Sequence, residues 1–211
     1  MKNVPFITLE GGEGAGKSTQ IRLLKEWLQS LGKDVISTRE PGGTAGAEEI
    51  RNLIVRQRDS QWDAETDTLL FMAARRDHLV HVIWPALHDD TWVLCDRFAD
   101  STFAYQCFGR GLDIEKARQM YQFIAGDFKP DLTFILDIDP NKGIERVMAG
   151  ADRNSAETRF ENFDIGFHEK LRGGFHTLAQ QEPDRFVIIN ADTDKETLQQ
   201  QLRAEITKRF L

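Results

Sequence analysis

Between a short apolar run and a helical pattern the chain reads Leu9-Glu10-Gly11-Gly12-Glu13-Gly14-Ala15-Gly16-Lys17-Ser18-Thr19-Gln20. Glycines at four of six consecutive positions weaken the backbone, because glycine loses more conformational freedom on ordering than any other residue. The spacing accounts for them. Gly11 to Ser18 matches G-x-x-x-x-G-K-[ST], set after a strand-like run and before a helix, which is the context this motif requires. The glycines let the chain turn sharply and aim successive N–H groups inward, forming an anion nest that the helix N-terminus reinforces. Lys17 can then reach the β and γ phosphates of a nucleotide, and the Ser18 hydroxyl can ligate Mg²⁺. A chance match in a chain of this length is on the order of 1%, so Gly11, Gly12, Glu13, Gly14, Ala15, Gly16, Lys17, Ser18 and Thr19 are read as a nucleoside triphosphate loop. The dinucleotide pattern G-x-G-x-x-G fails, since Lys17 or Thr19 stands where its last glycine belongs.

The loop fixes what surrounds it. Apolar runs at Val4 to Leu9, Val35 to Thr38, Trp92 to Cys95, Leu132 to Leu136 and Phe186 to Ile189 are short enough to be strands buried on both faces. Helical patterns separate them. Ile21, Leu24, Leu28 and Leu31 recur at helical spacing before Gly32, and further helices are expected around 50–54, 64–84, 114–126, 140–149, 161–180 and 194–209. Such alternation predicts an α/β fold with a mostly parallel five-stranded sheet and helices on both faces, ligands meeting the carboxyl ends of the strands. The polar stretch from Gly150 to Thr158 lacks apolar periodicity and is expected to be a surface loop bordered by Arg153 and Arg159.

Composition narrows the partners. With 211 residues a single domain, 1–211, is expected, and a net charge of -7 argues against bulk binding to nucleic acid or an anionic membrane. No apolar stretch reaches 18 residues and the first run is too short for a signal segment, so a cytoplasmic protein is expected. Cys95 and Cys107 suggest buried thiols rather than a disulfide framework, and His78 and His81 lack the further ligands of a metal site.

A triphosphate loop does not by itself choose between kinases, switches and hydrolases. Asp96-Arg97, at the end of the third apolar run, places a carboxylate where it can hold a Mg²⁺ shell and a guanidinium where it can meet a phosphoryl group. Arg39, Arg51, Arg75, Arg97 and Arg110 fall near strand ends, helix starts or loops, and convergence of several on one face would form a second phosphate site. Phe71 and Tyr105 can offer faces to a base.

Taken together, Gly11 to Thr19, Thr38-Arg39-Glu40-Pro41-Gly42-Gly43-Thr44, Leu70-Phe71 with Arg75 and His78, and Asp96 through Gln106 resemble bacterial thymidylate kinases. Gly109-Arg110-Gly111, Pro130-Asp131-Leu132 and Arg159-Phe160-Glu161 extend the likeness over nearly the whole chain. The resemblance implies a P-loop kinase three-layer sandwich, a homodimer, and phosphoryl transfer from MgATP to dTMP. It also implies that Phe71 stacks on thymine, Arg75 bonds the base edge, and Thr102 and Gln106 complete the base contacts. Tyr105 would crowd the ribose 2′ position, Glu13 would meet the 3′-hydroxyl, and Arg39, Arg51 and Arg97 would hold the acceptor phosphate. Lys17 and Arg97 would act in catalysis, with Ser18 and Asp96 on the metal. Some relatives carry an arginine inside the loop where this chain has Glu13-Gly14-Ala15, so the missing charge is expected from Arg153 or Arg159 in a lid at about 150–159, the similarity favouring Arg159. The chain departs from the pattern at Phe98, Cys107 and Ala74, where Tyr or His, Gly and an acidic residue are common.

Two other readings remain open on sequence. A P-loop hydrolase or GTP-dependent switch is weakened because Asn141-Lys142 is followed by Gly143-Ile144, not x-D. A deoxynucleoside or deoxycytidylate kinase is the nearer rival.

Overall fold

The computed structural model describes residues 4–55, 62–150 and 163–211. Its frame is a sheet of β1 (Phe6–Glu10), β2 (Val35–Arg39), β3 (Trp92–Asp96), β4 (Leu132–Asp137) and β5 (Phe186–Asn190). The order is β2-β3-β1-β4-β5 with every neighbouring pair parallel. Each apolar run thus forms a strand, and each strand continues one residue further onto Glu10, Arg39, Asp96, Asp137 or Asn190. Backbone pairing carries it there: Asp96 stays in register with both Leu9 and Arg39, and Asp137 with Asn190. The carboxyl edge of the sheet is therefore a row of polar side chains above an apolar body.

The helices are α1 (Lys17–Ser30), α2 (Ala45–Val55), α3 (Ala64–His78), α4 (Trp84–His88), α5 (Ala99–Thr102), α6 (Ile114–Ala125), α7 (Pro140–Gly150), α8 (Ile165–Gln181) and α9 (Lys195–Phe210). They cover both faces, because successive strand residues point opposite ways. Ile7 and Leu9 join Leu24 and Leu28 of α1 and Leu202 and Ile206 of α9, whereas Phe6 packs with Leu79, Ile83 and Phe98 on the other side. Full burial of Leu24 and Leu28 contributes about 1.5–3 kcal/mol each.

Several boundaries differ from the sequence reading, α2 beginning at Ala45 rather than near Ile50 among them. Leu31 lies past the end of α1 and is 48% exposed, and Gly32, with φ 74°, follows it outside the helix. The helix expected from 161 begins at Ile165, where the Asp164 carboxylate accepts the Phe167 N–H. The segment expected as one helix to Trp84 passes through a π-helical turn, Leu79–Ile83, before α4. A second π-helical segment, Phe103–Gly109, follows α5, and Cys107 lies within it. Both thiols are free and buried, and burial pushes the Cys107 thiol up to about 11.

Candidate active site

Between β1 and α1 the backbone does what the glycine spacing asks. Gly14 sits at φ 69°, and a Cβ there would run into the backbone carbonyl of Gly143 in α7. Gly16, left-handed, precedes Lys17 without side-chain capping, and the first turn of α1 holds no acidic residue. Its N-terminal N–H groups are therefore open to an anion, with no competing carboxylate in the same turn. Lys17 Nζ donates to the carbonyls of Gly11 (3.2 Å) and Gly12 (2.8 Å). Burial and the Arg97 charge lower the Lys17 pKa against the pull of Glu13, Asp96 and Glu10.

Beside the loop, β3 delivers Asp96 and Arg97. Ser18 Oγ donates to Asp96 Oδ2 at 2.5 Å, joining the start of α1 to the end of β3. Arg97 takes a left-handed φ of 66°, rare for a residue with a Cβ. Its Nη1 donates to Gly11 O (2.9 Å) and Ser101 Oγ (3.2 Å), and its Nη2 to Glu13 Oε1 (2.7 Å). The guanidinium also lies over the Tyr105 ring at 5.1 Å, while Tyr105 Oη donates to the same Glu13 oxygen at 2.6 Å. Burial alone would raise the Glu13 pKa, yet Arg97, Lys17 and the Tyr105 hydroxyl hold it down at about 2.

Opposite the loop a buried chain of polar groups orients Arg75. Thr38 Oγ1 meets His78 Nε2 (2.6 Å), His78 Nδ1 meets Glu40 Oε1 (3.0 Å), and Glu40 Oε2 accepts from Arg75 Nε (2.7 Å). Arg75 Nη2 donates onward to Thr102 Oγ1 at 2.9 Å. Glu40, which precedes a cis peptide bond to Pro41, is thus the carboxylate that Ala74 does not supply. Phe98, the other departure, is fully buried against Phe6 at 4.9 Å and lies under the Arg75 guanidinium at 5.2 Å.

These groups border one cavity of about 420 Å³. Glu13, Gly14, Gly16, Lys17, Ser18 and Thr19 line it along the loop, with Asp96, Arg97 and Tyr105 beside them, and Arg39, Arg51, Phe71, Arg75 and Thr102 also line it. Arg39 reaches Glu48 (3.1 Å) and Arg51 reaches Pro41 O (2.9 Å). Arg110 does not line the cavity: it pairs with Asp67 and donates to Gln106 Oε1 (3.0 Å) and Trp62 O (2.7 Å). Gln106 is fully buried and is not among the lining residues. Arg153 and Arg159, with the expected lid, lie outside the described residues. Sequence reasoning missed Glu40, Glu48 and Ser101. Its one available signal for Glu40 was an acid placed between a strand end and Pro-Gly-Gly, which marks a turn but not the direction of the side chain.

Among the described residues no group of three or more His, Cys, Asp and Glu side chains converges as a metal cage. A hydroxyl and a carboxylate in contact, Ser18 and Asp96, are hard oxygen donors, and few protein ligands suit Mg²⁺, which keeps several waters and takes phosphate oxygens. The residues present fit that ion.

A parallel α/β sheet whose first strand feeds a glycine-rich loop and the Lys17 helix, with guanidinium and aromatic groups bordering the same cavity, belongs to the class of P-loop phosphotransferases. Comparison with known proteins then specifies the family. A family model described as thymidylate kinase matches residues 9–202. The thymidylate kinase of Magnetococcus marinus is 47% identical over 205 residues, covering 97% of this chain and 96% of that protein. That of Caulobacter vibrioides is 48% identical over 189 residues, covering 90% and 89%. The crystal structure of thymidylate kinase from Ehrlichia chaffeensis superposes with a TM-score of 0.79 at 34% identity, covering 96% of this chain and 98% of that one. The chain belongs to the thymidylate kinase family.

Proposed function

We infer that this chain transfers the γ-phosphoryl group of ATP to the 5′-phosphate of dTMP, yielding dTDP and ADP, a step in dTTP supply for DNA replication. The observation that supports the reading is a single cavity lined both by Gly14, Gly16, Lys17, Ser18 and Thr19 and by Arg39, Arg51, Arg75 and Arg97. The acceptor phosphate has a second pKa near 6 and is largely a dianion at neutral pH, so no general base is needed. The difficulty is bringing two anions together in line, and positive charge with fixed orientation overcomes it.

In this reading Gly11 to Thr19 hold ATP, with Lys17 on the transferred phosphate. Ser18 and Asp96 would hold Mg²⁺, which, when bound, neutralises charge on the phosphate oxygens. Arg39, Arg51 and Arg97 hold the acceptor phosphate, and Arg97 also serves catalysis from beside the loop. Phe71 stacks on thymine, while Arg75, with Thr102, reads its edge. Tyr105 crowds the 2′ position and Glu13 receives the 3′-hydroxyl. The whole chain acts as one catalytic unit, with Arg153 or Arg159 brought over the ATP phosphates by a lid at 150–159. We read the enzyme as a cytoplasmic homodimer that does not bind nucleic acid or membranes. Exposed Phe123 on α6 and Leu69 on α3 support self-association, the net charge of -7 disfavours polyanions, and no described helix is long and apolar enough to cross a membrane.

A coupled ADP-release assay with dTMP, dUMP, dCMP and thymidine tests the reading. We expect dTMP to give the highest kcat/KM; a preference for thymidine or dCMP, or equal ATP consumption with no acceptor, would reject it. In the same assay Arg153→Ala and Arg159→Ala should separate the lid arginines, the one at the transition state losing roughly 10³-fold in turnover. Losses under about tenfold in both would remove the lid from the mechanism.

A further inference from the structure

Glu10, the last residue of β1, is completely buried and has no part in the mechanism above. Its Oε1 accepts the Phe98 N–H at 2.7 Å, and its Oε2 accepts from Ser101 Oγ. Those two partners flank Arg97 on its C-terminal side. Ser101 Oγ is also where Arg97 Nη1 donates, at 3.2 Å, and the Arg97 backbone N–H donates to Leu9 O at 3.0 Å. The residue being held is the one whose φ of 66° lies in the left-handed region. A side chain with a Cβ persists there only when its surroundings over-determine it. Here the end of β1 supplies the determination, through the Leu9 carbonyl before the turn and the Glu10 carboxyl after it. A buried acid is costly to keep for packing alone, and this one faces like charge: burial and Asp100 push its pKa up to about 8, with Ser101, Arg97 and the Phe98 N–H opposing.

We propose that Glu10 is a positioning residue: it clamps the turn between β3 and α5 so that the Arg97 guanidinium is aimed into the cavity at the acceptor phosphate. The inference rests on the reading of Arg97 given above. It differs from a general stabilising role because it makes Glu10 act through one side chain.

The experiment is a mutant cycle on the full chain, combining Glu10→Ala, Glu10→Gln and Arg97→Ala, with KM measured separately for dTMP and ATP. Misplacing a positioning group by about 1 Å costs on the order of 10²-fold, so Glu10→Ala should lower kcat/KM for dTMP about that much while the ATP KM moves less than about threefold. Glu10→Gln keeps the shape and an acceptor for the Phe98 N–H and should recover at least about tenfold of the loss. In the Arg97→Ala background Glu10→Ala should add less than about threefold. If Glu10→Ala fails to fold, Ser101→Ala and Glu10→Gln carry the same cycle, each expected to be sub-additive with Arg97→Ala. Multiplicative losses, an equal rise in both KM values, or an innocuous Glu10→Ala beside an impaired Arg97→Ala would overturn the inference alone. A parent-like Arg97→Ala would overturn both it and the Arg97 role on which it rests.

Discussion

Removing the Glu40 carboxylate isolates what holds the Arg75 wall of the cavity together. Glu40 binds Arg75 Nε at 2.7 Å and His78 Nδ1 at 3.0 Å, the three side chains being 0–3% exposed. In Glu40→Ala the Arg75 guanidinium would keep Thr102 Oγ1 and a weak contact to the Met72 sulfur but no counter-charge. Loss of one partner from a buried ion pair costs about 3–5 kcal/mol, because the charge left behind is neither paired nor solvated. At about 2–4 °C per kcal/mol for a chain of this size, the melting temperature should fall by roughly 6–20 °C. Glu40→Gln should cost less, about 1.5–3 kcal/mol. Its amide oxygen can still accept from Arg75 Nε, and its NH₂ can donate to His78 Nδ1 if the imidazole proton moves to Nε2 and points at Thr38. Urea unfolding at neutral pH, with melting curves on the same samples, measures both differences. A Glu40→Ala protein within about 1 kcal/mol of the parent, or a Glu40→Gln protein as stable as the parent, would refute the claim that this carboxylate neutralises Arg75.

Phe71→Ala should raise the KM for dTMP about ten- to a hundredfold, since a base stacked on an aromatic ring gains roughly 1–3 kcal/mol; steady-state kinetics with an unchanged ATP KM supports the contact, and an unchanged dTMP KM removes Phe71 from it. Glu13 gives a pH prediction whose sign follows from its depressed carboxyl. Its stabilising contribution is present above the ordinary value of 4.5 and is lost as pH falls toward about 2. Urea midpoints of the parent should therefore drop more steeply over that window than those of Glu13→Gln, and parallel curves would mean that Arg97 does not hold the carboxyl down.

The sequence announced the sheet because burial on both faces leaves an uninterrupted apolar run. Apolar periodicity stopped one residue short of each strand's end, where backbone pairing continues although the side chain is polar. The site is built on that row: Asp96 and Arg39 were legible as polar residues at or near strand ends, whereas Glu10 was not. Likewise Ala99–Thr102 and the π-helical segment after it carry no clear helical stripe, since their side chains divide between core, Arg75 and the cavity. Arg110 looked like its neighbours in sequence, and only its contacts with Asp67 and Trp62 separate it from the guanidinium groups that line the cavity. Composition and periodicity report how a residue is solvated on average, whereas Glu40 and Ser101 matter through single directed contacts.

The tie between Glu13 and Arg97 spans 84 positions of chain, with exposures of only 26% and 16%. Neither partner can drift alone without stranding an ionised group in a poorly hydrated place, so the two are expected to be inherited together. A library randomised across 11–16 and selected for folding, with no demand on turnover, should still return an acidic residue at 13.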